Sequence, residues 1–130
     1  MHVIYVPLGA AMLVFAAALV QHLGTVYMKG PRFVMTDRSQ PLGNDGFAGR
    51  SKRALQNTLE STAMMVPLAL VVVFTGTQNN ASAIAGVTYL IARIVFLISY
   101  WTGVNLLRSA AWAVGMISII VMAATALASV

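Results

Sequence analysis

The chain has 130 residues, of which 59% are hydrophobic and only 8% charged, with a mean hydropathy of +0.83; a soluble domain carries about 25% charged residues, so the composition indicates a single integral membrane domain. The absence of cysteine excludes disulfides, a protein thiolate nucleophile and cysteine metal sites, and two histidines, His2 and His22, cannot alone build a zinc or di-iron centre. Most of the net charge of +5 lies in one short stretch beside apolar spans, where it reads as a topology signal rather than a nucleic-acid surface.

The first predicted span covers about 3–27, and its stretch from Val3 to Val20 carries no charge. No basic n-region and no clear small-residue cleavage site accompany it, so it reads as a retained transmembrane helix. Gln21 and His22 fall in its second half. An interhelical hydrogen bond or an interfacial place suits His22; a haem-ligand reading has no support elsewhere in the chain. A polar connection follows over about 29–53. It sets Lys29, Arg32, Arg38, Arg50, Lys52 and Arg53 against Asp37 and Asp45, and Pro31, Pro41, Gly43, Gly46 and Gly49 break regular structure in it.

The second span covers about 55–75 and contains Pro67, which removes one backbone hydrogen bond. The loop at about 76–80 is uncharged. The third span, about 81–102, contains Arg93, and the connection at about 102–107 is closed by Arg108. The fourth span, about 109–129, is uncharged, and Tyr100, Trp101 and Trp112 stand near span ends as interfacial aromatics do. The expected fold is all-α, an integral membrane up-and-down four-helix bundle. The positive-inside rule places the first and third loops in the cytoplasm and both termini away from it.

Two charges share a depth. Glu60 is nine residues past Ser51 and Arg93 ten before Gly103, or roughly 13 and 15 Å from the same membrane face. An unpaired charge there is costly, so the two are expected to pair or to share one polar network. Arg53, Asn57 and Glu60 stand at i, i+4 and i+7 on one helix face; Arg93, Phe96 and Tyr100 stand at i, i+3 and i+7 on another. Where these faces meet they would line a polar cleft open to the cytoplasm. Its arginines suit a small zwitterion with several carboxylates, and its one carboxylate suits an ammonium.

At these residues the chain resembles the family of membrane-associated proteins in eicosanoid and glutathione metabolism (MAPEG), in the form of its bacterial members. The family signature R-A-x-x-N-x-x-E reads here Arg53-Ala54-Leu55-Gln56-Asn57-Thr58-Leu59-Glu60. A second family stretch reads Ala92-Arg93, Tyr100, Gly103 and Leu107-Arg108. The resemblance implies a homotrimer that binds glutathione between subunits near the cytoplasmic side, as co-substrate and without a metal. Arg53, Asn57, Glu60, Arg93 and Tyr100 would hold glutathione, and Arg108 would stabilise its thiolate. The membrane would supply a lipophilic second substrate, and the bacterial inner membrane is the expected location.

Three positions depart from the family pattern. Ser61 and Phe96 replace a tyrosine, or at position 96 a tyrosine or histidine, and Gln56 stands where bacterial relatives often have arginine. Two functions remain open from sequence: a glutathione-dependent transferase or peroxidase acting on lipophilic electrophiles or lipid hydroperoxides, and a non-enzymatic module of the same fold that binds lipid or a larger membrane complex. A small transporter fits less well, because there is no internal repeat.

Overall fold

A computed structural model describes residues 1–36 and 46–130. Asp37, Arg38, Pro41, Gly43 and Asp45 of the polar connection lie outside the described residues. Four long helices dominate: α1 (Tyr5–Lys29), α3 (Gly46–Phe74), α4 (Asn80–Thr102) and α5 (Asn105–Leu127), with a single turn, α2 (Pro31–Val34), after the first. All four are long and apolar enough to cross a membrane. No strand occurs among the described residues.

Helix ends follow local chemistry. Gly30, at φ 84°, stops α1. Asn79 opens α4 with a capping box: its side chain accepts from the Ser82 backbone N–H, and the Ser82 hydroxyl accepts from that of Asn79. Gly103, at φ 80°, ends α4 in the left-handed conformation, and Val104 N–H reaches back to the Ser99 carbonyl at 2.9 Å. Only Gly103 and Val104 separate α4 from α5, a connection short enough to make the two antiparallel neighbours.

Two boundaries differ from expectation. Helix α3 starts at Gly46 rather than near 55, so Arg50, Lys52 and Arg53 stand on its first turns instead of in a loop. Helix α5 starts at Asn105 rather than 109, which puts Arg108 on its first turn. Polarity marks both stretches as connection at the membrane edge. A helix can continue past that edge, since its backbone bonds are internal.

Helices α3 and α4 form the central pair. Each touches the other and both outer helices, while α1 and α5 do not meet. Lipid offers no hydrophobic drive for helix association, so close packing through small residues must supply it. Ala10, Ala54, Ala69, Ala85 and Ala92 are all buried. At Gly86 an added Cβ would lie 2.6 Å from Val6 Cγ2, which sets how closely α1 approaches α4. The outer face of α1 carries exposed Leu8, Met12, Phe15, Leu19 and Leu23 at helical spacing, as a lipid-facing stripe does.

The core has two apolar clusters. One gathers Val6, Met65, Tyr89, Ile119 and Met122; the other gathers Ala17, Ala54 and Leu97. Between them in sequence, on both α3 and α4, lies a polar layer.

Candidate functional site

Arg93 sits in that layer. It projects from α4 toward α3 and is 0% exposed. Its Nη2 donates to Asn57 Oδ1 at 3.0 Å and to Thr58 Oγ1 at 3.2 Å. Thr58 in turn donates its own hydroxyl proton to the Ala54 carbonyl at 2.7 Å. One turn further along α3, Ser61 Oγ and the Tyr89 hydroxyl are 3.0 Å apart. The remaining guanidinium donors, Nε and Nη1, are buried without a hydrogen-bond partner. The guanidinium carbon lies 4.0 Å from the centroid of the Phe96 ring, within cation–π range.

Among the described residues no ion pair joins Arg93 to Glu60. Glu60 is exposed on α3 and accepts from Gln56 Nε2 at 3.0 Å instead. The reason is azimuth rather than depth. Arg93 reaches α3 at the buried Thr58 and the half-buried Asn57; Glu60 lies roughly 160° around the helix from Thr58 and about 60° beyond Asn57, on the exposed side. The buried cation is therefore met by an amide and a hydroxyl, and among the described residues no carboxylate compensates its charge.

In front of Arg93 opens a pocket of about 220 Å³ lined by Asn57, Phe96, Tyr100, Arg108, Ser109 and Trp112. Phe96 and Tyr100, one turn apart on α4, meet edge to face with centroids 5.3 Å apart and planes at 67°. The Arg108 guanidinium carbon stands 5.0 Å from the Tyr100 centroid. Arg93, Phe96, Tyr100 and Arg108 thus make a ladder of cation, ring, ring and cation, of which the last three line the pocket. Among the described residues no carboxylate lines the pocket. Val104, which precedes α5, makes no side-chain cap bond, so the free N–H groups of the first turn add positive potential at the same end. Two further cavities, about 260 and 310 Å³, lie along the opposite side of the α4–α5 seam and share Thr88. They are larger, but their linings include no charged or amide group, so the chemistry belongs to the first pocket.

Of the residues singled out from sequence, Asn57, Tyr100 and Arg108 come together in the pocket wall, and Arg93 stands directly behind it. Arg53 and Glu60 lie outside it, on the exposed face of α3. His22 is exposed on α1, away from the site. Among the described residues no group of three metal-ligating side chains forms. Thr58 and Ser109 escaped the sequence reading, and Trp112 counted there only as an interfacial aromatic. The signal for Thr58 was present: Thr58, Ser61 and Tyr89 are polar groups inside apolar spans, and such groups seek partners.

Fold and site together define a multi-pass membrane protein of four spanning helices, with a pocket lined by a guanidinium, an amide and aromatic rings at one end of its bundle. The chain belongs to the MAPEG family, whose model matches residues 2–128. It is accordingly a membrane protein of the glutathione and eicosanoid metabolism type. No curated protein and no solved structure matches the chain.

Proposed function

We propose that the protein is a glutathione-dependent membrane transferase or peroxidase acting on lipophilic electrophiles or lipid hydroperoxides. The observation that carries this reading is the pocket wall itself, with Arg108 on it, Arg93 behind it and, among the described residues, no carboxylate within it. Such a wall suits an anionic peptide. Glutathione supplies two carboxylates and a thiol, and the donor set fits them: a multi-donor guanidinium from Arg108 and the Asn57 amide.

When bound, glutathione supplies the sulfur nucleophile. The chain supplies its activation. A cation beside a thiol lowers a free pKa of about 8.5 and raises the reactive fraction at neutral pH. Arg108 is the residue for this role, because the Tyr100 ring and the first turn of α5 hold its guanidinium at the pocket. Phe96, Tyr100 and Trp112 give the pocket apolar walls beside the guanidinium, and their low polarity strengthens the charge interaction. The apolar second substrate would arrive through the bilayer.

A tripeptide is larger than this open pocket, so part of it would extend past Asn57 toward Arg53 and Glu60 on the exposed face of α3. Glu60 there suits an ammonium. A carboxylate on a membrane-crossing helix is costly when it faces lipid, and a neighbouring subunit would cover both it and the ligand. A homotrimer follows from this picture and from the family. The basic residues on α2 and the first turns of α3 support a cytoplasmic face there, with both termini on the other side, in a bacterial inner membrane.

Calorimetric titration of the protein in nanodiscs with glutathione tests the reading, followed by turnover with a generic electrophile. Saturable binding and turnover are expected. Binding of lipid without any binding of glutathione would favour the non-enzymatic module instead.

A further inference from the structure

Arg93 is buried, yet it meets two residues of the pocket wall, stacking on the Phe96 ring and hydrogen-bonding the Asn57 carboxamide. An arginine side chain only donates hydrogen bonds. The atom 3.0 Å from Nη2 must therefore be the Asn57 oxygen, and the amide nitrogen must point elsewhere. The neighbouring Thr58 hydroxyl meets the same Nη2 and gives its proton to the Ala54 carbonyl, so it offers Asn57 no competing donor. Asn57 is half-buried and lines the pocket.

We propose that Arg93 is a positioning residue that fixes the orientation of Asn57, so that Asn57 presents its two N–H donors to a carboxylate or carbonyl oxygen of the ligand. This rests on the reading of the pocket as a site for an anionic peptide. It changes the part played by Arg93 from direct ligand contact to selection through another side chain. An unconstrained asparagine can turn either end to a ligand, and would accept from an ammonium as readily as it donates to a carboxylate. Held by Arg93, it only donates. The complete burial of Arg93 makes the constraint strong, since turning Asn57 over would set its N–H groups against the guanidinium and leave one more buried donor unpaired.

Two variants, with Asn57→Ala as a third for comparison of unfolding, test this in nanodiscs, each checked for helicity and assembly. Asn57→Asp keeps an acceptor for Arg93, adds the missing counter-charge and removes the donors. It is expected to unfold at or above the parent temperature while its affinity for glutathione falls about tenfold or more. Retained affinity in Asn57→Asp would overturn the proposal. Arg93→Gln frees the amide, because glutamine both donates and accepts. The readout is the ratio of affinities for glutathione and for its carboxylate esters. The parent should prefer glutathione to at least one ester, and Arg93→Gln should bind that pair nearly equally. A merely structural role would lower both affinities and leave the ratio unchanged. If the parent binds no glutathione, the ligand reading fails and the unfolding data still decide: an Asn57→Asp protein that unfolds below Asn57→Ala would mean that Arg93 does not hold this side chain.

Discussion

Arg93 on α4 and Asn57 on α3 meet at 3.0 Å inside the bundle, and this contact joins the packing of the two central helices to the wall of the pocket. A guanidinium at this depth, with two of its donor atoms unpartnered, is tolerated only where the surrounding structure holds it.

The stability of the layer follows from that contact. Arg93→Ala should destabilise the protein by about 3 kcal/mol, from a cavity and an orphaned Asn57 oxygen. Arg93→Met should cost less, because it fills the space and removes an uncompensated charge. Changes at Arg93 and Asn57 should be non-additive, whereas changes at Arg93 and Glu60 should add. Equilibrium unfolding in mixed micelles gives all three, and a large Arg93–Glu60 coupling would contradict the geometry.

Helix packing gives a second test. At Gly86 an added Cβ meets Val6 at 2.6 Å, but at Gly115 it meets Arg93 Cδ at an ordinary 3.7 Å. Gly86→Val should therefore cost about 1–3 kcal/mol through overpacking of α1 on α4. Gly115→Ala should be nearly neutral. Equal unfolding temperatures for the two variants would argue against the close α1–α4 approach.

How much of this was legible in the sequence depends on the kind of relation. The four spans were visible because lipid demands about 20 apolar residues for each crossing. That Arg93 lies deep in the bundle was visible too, because rise per residue converts sequence into depth. Its partner was not. Glu60 had the right depth and sign, but whether it faces Arg93 depends on how α3 is rotated about its own axis. That rotation is set by Ala54, Thr58, Ser61 and Met65, all buried along one stripe. The Thr58 hydroxyl on that stripe and the Asn57 amide at its edge reach Arg93, whereas the Glu60 carboxylate lies beyond the edge on the exposed face. The early start of α3 was hidden for a related reason: polar residues mark the membrane edge, and the helix passes through it.

Orientation can be read by labelling, because the natural chain has no cysteine. Single cysteines at Met35, which is 89% exposed after α2, and at Asn80, exposed at the start of α4, should react with an impermeant reagent from opposite sides of the membrane. The site near Met35 should be cytoplasmic. Reaction of both from one side would overturn the topology.

Assembly follows from the exposed face of α3. Gln56 and Glu60 satisfy each other there, but a carboxylate turned toward lipid needs cover. Native mass measurement from nanodiscs should give three chains. A monomer that still binds glutathione would mean that one bundle encloses the site alone.

The most direct measurement is the ultraviolet absorbance of thiolate in the glutathione complex, titrated against pH for the parent and for Arg108→Lys. Lysine keeps the positive charge that topology needs but loses the planar, multi-donor guanidinium. In the parent, bound thiolate should appear at lower pH than in free glutathione, because the cation stabilises the charged form. In Arg108→Lys that shift should shrink and turnover should largely disappear, while affinity for glutathione stays within several-fold of the parent. Identical thiolate titrations and equal turnover in the two proteins would contradict thiolate activation by Arg108 and leave that residue as a marker of the membrane edge.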